Sequence, residues 1–476
     1  MPLVAGVDSS TQSTKVMVVD VDDGATVAIG RAAHDVVGVD GARESDPRQW
    51  RDALAAALAD TGRAGEVAAV AVAGQQHGLV VLDDQGAPIR PAKLWNDTQS
   101  APQAAALVDH FGGPTWWADE VGVVPVASFT ASKWQWLRAH EPRAAARAAT
   151  VCLPHDYLNR VLTGRAITDR GDASGTAWFS SVHDQLVDEV LDHIELSPTL
   201  LPEVARDGQA GVVTTAAARA LGLPAGIPVG SGTGDNAGAA LGLGVAAGAP
   251  IVSLGTSGTA FVVSDSPVQD GSGVIAGFAD ATDRWLPLAA VLNCTLAVDR
   301  MAELLGLDRG DVAESTDVVV LPWFDGERTP NLPDARGSIV GMTHRTTAQE
   351  VLWATHLGAA HSLVMALEHI GELSGGLDDA APLTVVGGGA KGSAWRRALG
   401  VLTGRPLRIP AVEELVARGA AAQAAGLLTG EGPYEVARRW GTGGTTIPPL
   451  DKDAAARQRI DAVVAALEPL NQSTPW

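Results

Sequence analysis

At 476 residues the chain is too long for one ordinary core, and a prior of ~150 residues per domain points to two or three domains. Hydrophobic residues at 46% and charged residues at 19% give a globular balance, and the 54 glycines and 27 prolines follow no collagen-like period, so disorder is expected only at the last few residues. The formal net charge of −21 repels phosphate backbones and anionic lipids, which makes nucleic acid and membrane surfaces poor candidate partners.

The two cysteines, Cys152 and Cys294, lie far apart in apolar runs, so buried thiols are expected rather than a disulfide framework or a metal cluster. MPLVAGVDSS has no basic region ahead of a long apolar stretch, and no apolar run approaches the ~20 residues that span a bilayer. A cytoplasmic protein is the expectation.

The first element is a strand from Leu3 to Val7 that ends in Asp8. A hydroxyl-rich turn, SSTQST, leads into a second strand from Lys15 to Val21, closed by Asp22-Asp23-Gly24, and the whole reads as a β-hairpin. A helix then opens at Asp46-Pro47, with Asp as N-cap and Pro at the first helical position. Trp50, Leu54 and Leu58 line one face of it at a spacing of four. A buried-type strand from Val67 to Ala73 ends at Gly74. Near the middle, the strand–polar turn–strand pattern returns: Ile251 to Leu254, then Gly255-Thr256-Ser257-Gly258, then Ala260 to Val263. This repetition predicts two similar domains, each supplying one phosphate-binding hairpin. The charge-free stretch from Leu243 to Pro250 marks the junction, with domains at 1–244 and 245–476. Further on, Thr347 and Glu350 form a capping box ahead of a long helix carrying Val351, Ala354, Leu357, Val364, Leu367 and Ile370. A strand from Leu383 to Val386 meets Gly387-Gly388-Gly389, a helix resumes near Ser393, and a last amphipathic helix covers about Asp453 to Leu467.

Asp8 stands where an apolar strand gives way to a tight turn. In a nucleotide enzyme this position suits a carboxylate that holds Mg²⁺ through water, since Mg²⁺ keeps much of its hydration shell. Thr11, Lys15 and the hydroxyls between them could cradle phosphates; a plain hairpin with Asp at its turn has the same sequence. Thr256 in the second turn can donate a hydroxyl. Gly387, Gly388, Gly389 and Ala390 follow a strand and precede a helix, which suits a nucleotide over a helix N-terminus, though such turns are also common structural devices. In Gly232-Thr233-Gly234-Asp235-Asn236, a carboxylate is set among small residues before an apolar helix from Ala237 to Leu243. Asp235 is placed either to take the proton of an attacking hydroxyl or simply to cap that helix. Gln76 and His77 in AGQQHG, with Trp95 and Asn96 in LWND, mix amide, imidazole and indole groups as a sugar site requires. A structural histidine and a core tryptophan are the alternatives.

Taken in order, VDSSTQSTK, AGQQHG, LWND, LPHDYL, GTGDNAGAALG, SLGTSG, GERTP and VVGGGAKGSAWR resemble the FGGY family of carbohydrate kinases over essentially the whole chain. AGQQHG, LWND and GDNAG are more similar to its xylulokinase branch than to its glycerol kinase branch. The resemblance implies an α/β fold of two actin-like, ribonuclease-H-like ATPase domains facing a cleft. ATP and Mg²⁺ would lie mainly on the second domain and a small sugar on the first. It also implies Asp235 as catalytic base, Asp8 beside Mg-ATP, and Gln76, His77 and Asn236 at the sugar. Thr256 and Gly387 to Ala390 would be nucleotide turns, and a homodimer is the candidate assembly. The expected reaction is phosphorylation of D-xylulose. Other family kinases acting on ribulose or a polyol share these motifs, and a non-enzymatic ATP-binding scaffold would share the fold. The sequence departs from the family pattern at Ser10, often Gly, and at Gln76, often Met in xylulokinases. A dehydrogenase is disfavoured, because no GxGxxG follows the first strand.

Overall fold

In the computed structural model, which describes residues 2–473, two mixed sheets repeat one arrangement of strands. The three last residues, where disorder is expected, lie outside the described residues. The first sheet contains β1 (Leu3–Ser9), β2 (Ser13–Asp20), β3 (Thr26–Ala33), β4 (Val67–Gly74), β5 (Gln209–Val212), β6 (Pro228–Gly230) and β7 (Thr233–Gly234). Its order is β5-β6-β4-β1-β2-β3, with β7 also on β4. The β1–β2–β3 meander is antiparallel, β4 runs parallel to β1, and β6 and β7 run parallel to β4. β1 is buried throughout because it is central and covered on both faces, which explains its unbroken apolar run. Helix α1 (Pro47–Thr61) starts as the sequence predicts: Asp46 accepts from the Arg48 N–H at 2.9 Å, and Trp50, Leu54 and Leu58 are buried. Three further helices serve the site: α2 (Pro154–Thr163), α3 (Arg170–Ala173) and α4 (Asp235–Leu243).

The second sheet contains β8 (Ile251–Leu254), β9 (Gly258–Phe261), β10 (Ala276–Ala279), β11 (Trp285–Val291), β12 (Leu383–Val386), β13 (Leu407–Ile409) and β14 (Thr445–Ile447). Its order is β10-β11-β9-β8-β12-β13-β14. As in the first sheet, an antiparallel hairpin (β8–β9) is flanked by an antiparallel strand (β11) and by a parallel one (β12). The return strand starts two residues before the predicted Ala260, because Gly258 itself pairs with Leu254. No Cβ stands in its way there: one would lie 3.1 Å from Leu363 and 3.2 Å from the Cys294 sulfur. Around this sheet lie α5 (Thr295–Leu305), α6 (Ala348–Ser374), α7 (Ser393–Thr403) and α9 (Ala454–Ser473), while α8 (Leu415–Thr429) lies elsewhere. The α6 capping box is formed in both directions, with Thr347 N–H donating to Glu350 at 2.7 Å and Glu350 N–H to Thr347 at 3.3 Å. Both cysteines are buried and free. Among the described residues, no helix is long and apolar enough to cross a membrane.

Helix α8 comes between β13 and β14 of the second sheet in sequence but packs on the first. Its alanines 417, 420, 421 and 424 are fully buried against Val4, Met17 and Ala71. It crosses α4 with backbones nearly touching: a Cβ at Gly419 would fall 2.0 Å from the Gly238 carbonyl oxygen. A Cβ at Gly6 would fall 1.8 Å from the Ala417 carbonyl, so β1 and α8 also need glycine between them. This crossing joins the two halves directly behind Asp235.

Candidate active site

The register of three parallel strands brings the predicted residues together. Ala73 pairs with both Asp8 and Thr233, and Gly74 pairs with both Ser9 and Gly234. Asp8, the Gln75–His77 segment and Asp235 therefore leave the sheet at one edge, the carboxyl ends where open α/β sheets bind ligands. Gln75 N–H donates to the Ser9 carbonyl at 3.0 Å, which ties the Gln75–His77 segment to the first turn.

Asp235 is the first residue of α4, with Gly234 as the N-cap, so its side chain is not the helix cap. Its Oδ1 accepts from the Asn236 N–H at 2.7 Å and from Asn236 Nδ2 at 2.9 Å. The same Nδ2 donates to Gln76 Oε1 at 2.9 Å, so Asp235, Asn236 and Gln76 form one chain of polar groups. Burial, and after it the negative charges of Asp8 and Asp172, push the Asp235 carboxyl up to about 7. A base tuned near neutrality suits proton abstraction from a hydroxyl.

Asp8 is buried, and burial raises its carboxyl against the Ser10 hydroxyl, which donates to it at 2.6 Å, and the nearby Lys15. Ser10, where the family often has glycine, is thus an Asp8 partner. Lys15 lies 3.5 Å from Asp8 and 2.9 Å from Glu414, which also pairs with Arg31. Glu414 immediately precedes α8, so the helix that joins the halves also carries a carboxylate to the first turn. Thr11 accepts a hydrogen bond from the Trp95 indole at 3.0 Å. Trp95 is 39% exposed, and this hydrogen bond ties it to the first hairpin turn. The Asn96 side-chain oxygen is buried without a partner. Its neighbour Asp97 turns inward to Lys93 at 3.0 Å, a fully buried pair that shapes the LWND turn.

His77 adopts a left-handed backbone, φ 65°, and its ring packs in a triangle with Phe129 and Phe278, at 4.8 and 5.5 Å. Its Nδ1 is 2.7 Å from the Gly175 carbonyl, an acceptor that fixes the proton on Nδ1 and leaves Nε2 as an acceptor. Burial, then the Lys133 charge, lowers the ring to about 3, so it is neutral at working pH.

One cluster at the site was not singled out from sequence. His155 on α2 touches Asp172 at 2.6 Å, Asp156 at 3.2 Å and Asp169 at 3.5 Å, all buried. Burial opposes the His155 charge, but the three carboxylates outweigh it and raise the ring well above its usual value. Asp169 caps α3, accepting from the Gly171 and Asp172 N–H groups. The cluster abuts the segment before Asp235: a Cβ at Gly232 would meet the His155 ring at 2.8 Å. LPHDYL carried the signal for His155, but nothing local linked it to Asp169 and Asp172.

On the second half, a cavity of about 410 Å³ is lined by Gly387, Gly388, Ala390, Lys391, Pro410 and Glu413, among others. Gly389 does not line it; that residue packs instead on Leu254 and Thr295. The second hairpin turn leaves Thr256 exposed, and the N-terminus of α5 docks on this turn through Thr295 N–H to the Gly255 carbonyl at 3.1 Å and Leu296 N–H to the Thr256 carbonyl at 3.3 Å.

Residues 3–242 match the FGGY family of carbohydrate kinases, N-terminal domain, and residues 251–427 match its C-terminal domain. The chain is 54% identical to the xylulose kinase of Streptomyces coelicolor, over 98% of this chain and 97% of that one. It is 52% identical to the xylulose kinase of Streptomyces rubiginosus, again over 98% and 97%. The crystal structure of xylulose kinase from Bifidobacterium adolescentis superposes with a TM-score of 0.84 at 35% identity, covering 97% of this chain and 99% of that one. With two halves of repeated topology, an Asp235 carboxyl raised to about 7 and both domain matches in place, the chain belongs to the FGGY family of carbohydrate kinases.

Proposed function

We propose that the chain transfers the γ-phosphoryl group of ATP to the terminal primary hydroxyl of D-xylulose, giving D-xylulose 5-phosphate and ADP. The observation that carries this reading is Asp235, pushed up to about 7 and linked through Asn236 to Gln76 at the strand edge it shares with Asp8. The Streptomyces relatives supply the sugar. Residues 1–244 contribute the base and the sugar contacts Gln76, His77, Asn96 and Asn236. Residues 245–476 contribute Thr256 and the Gly387–Ala390 turn to the nucleotide. In the transfer, Asp235 takes the hydroxyl proton as the oxygen bonds to the γ-phosphorus, and the bond to the bridging oxygen breaks with its electron pair leaving on ADP. Asp8 is the residue that would hold Mg²⁺: among the described residues no set of three or more His, Cys, Asp or Glu side chains is arranged to hold a metal, and a nucleotide-borne Mg²⁺ needs only one or two carboxylates. When bound, the ion neutralises phosphate charge. The reaction draws on the ATP of the cytoplasm. Incubation with MgATP and D-xylulose, followed by mass spectrometry, should yield one pentulose 5-phosphate per ADP; ADP without a sugar phosphate would refute the reading.

Two variants test the assignments. Asp8→Ala should raise the KM for MgATP and lower turnover while leaving sugar binding intact; a loss of sugar affinity at unchanged ATP KM would reassign the first turn. His77→Ala should raise KM for D-xylulose more than for D-ribulose, because a site built to pair a hydroxyl rejects the analogue that misplaces it. Equal losses across both sugars would make His77 a space-filler.

A further inference from the structure

Arg328 lies in a loop pinned to the end of β11. The buried Glu327 carboxylate accepts from the N–H groups of Leu292 (2.6 Å), Asn293 (3.2 Å) and Arg328 (2.8 Å), and from the Asn293 side chain (3.1 Å). On the other side, the Thr329 hydroxyl donates to the Ala290 carbonyl at 2.8 Å. In the sheet, Ala290 pairs with Thr259 and Val291 with Gly258, so this end of β11 adjoins the second phosphate turn. From the neighbouring strand β10, Phe278 touches His77, and the Arg328 charge is itself felt at His77, where it opposes protonation. Arg328 thus lies on a loop beside the turn expected to hold donor phosphates, within electrostatic reach of the side chain expected to read the sugar.

The other cations of the site are engaged. Lys15 is held by Asp8 and Glu414, Lys133 donates to the carbonyls of His77 and Ser128, and His155 is enclosed by carboxylates. Arg328 is half-buried and, among the described residues, its side chain makes no hydrogen bond or ion pair; burial alone lowers its pKa. An enclosed charge without a counter-ion is unfavourable. A planar guanidinium presents paired donors that match phosphate oxygens.

We propose that Arg328 binds the phosphoryl group in transit, first as the terminal phosphate of the nucleotide and then as the phosphate of the sugar product. This rests on the function proposed above. Arg328 forms no covalent bond; its N–H groups donate to the phosphoryl oxygens while the sugar oxygen–phosphorus bond forms, the bond to ADP breaks and the proton goes to Asp235.

The test compares the parent enzyme with Arg328→Gln and Arg328→Lys. The glutamine variant should lower kcat ~10²-fold, as loss of a charge-stabilising donor does, and weaken D-xylulose 5-phosphate binding ~10-fold or more in titration calorimetry. D-xylulose binding should be unchanged, and the thermal midpoint should hold or rise, since an unpaired, half-buried charge is removed. Lysine should restore part of both losses. Parent-like kcat and product affinity in Arg328→Gln would overturn the proposal, and so would a lowered thermal midpoint with losses that lysine does not restore. The parent assay separates the two readings: a parent with no sugar-dependent ADP release refutes the kinase reading itself.

Discussion

Replacing Asp235 with Asn or Ala should lower kcat by ~10²–10⁴-fold, the contribution of a positioned acid–base group, while the affinity for MgATP stays nearly unchanged. The separation is expected because Asp235 sits at the edge of the first sheet, whereas the 410 Å³ cavity and the second hairpin turn belong to the other half. Asn236 and Gln76 stay in place in the Asn variant, so binding of the sugar should also survive. The sign of the pH dependence follows from the same group. A base must be unprotonated to accept a proton, and burial with two neighbouring carboxylates holds this one at about 7. The kcat/KM for the sugar should therefore rise with pH through about 7 and level off above it. His77, held neutral down to about 3, adds no limb of its own. A folded Asp235→Asn enzyme with near-parent turnover, or a parent profile flat from pH 5 to 8, would remove Asp235 from the role.

The second large effect is on stability. His155→Gln removes the one cation among three buried carboxylates, Asp156, Asp169 and Asp172. Breaking a buried ion pair from one side costs ~3–5 kcal/mol because the partner charge is left uncompensated. In a unit of this size that corresponds to a fall of roughly 6–20 °C in the thermal midpoint. Asp172→Asn in the same background should recover part of the loss, since the two residues touch at 2.6 Å and their effects cannot add. The measurement is a calorimetric scan of the parent, both single variants and the double variant. Strict additivity, or a His155→Gln midpoint within 2 °C of the parent, would show that the cluster is not a coupled unit.

The parts of this protein that local chemistry dictates were legible in the sequence. Asp46-Pro47 opens α1, Thr347 and Glu350 cap α6, and both polar turns lie in hairpins of corresponding sheet position. The edge strand β3 was missed because TVAIGRAA is mostly exposed and alternates weakly. Other features depend on which surfaces meet, and a chain read locally does not say so. An alanine-rich helix such as α8 carries no mark of which sheet it covers, so its seat on β1 and the arrival of Glu414 at Lys15 became visible only with the fold. The His155 cluster draws on α2, α3 and the residue before α3, and its meaning lies in their convergence behind Asp235. Within the site, Asp235, Asn236 and Gln76 came together as the motifs implied. Trp95 also hydrogen-bonds Thr11, and Gly389 packs on β8 rather than lining the cavity.

The central claim is most directly tested by kcat/KM for ADP release over a panel of D-xylulose, D-ribulose, L-ribulose, glycerol and hexoses at saturating MgATP. The account predicts that ADP release requires a sugar and that D-xylulose gives the highest kcat/KM. Glycerol or L-ribulose as the best substrate would contradict the sugar assignment, and ADP release indifferent to every sugar would contradict the kinase itself.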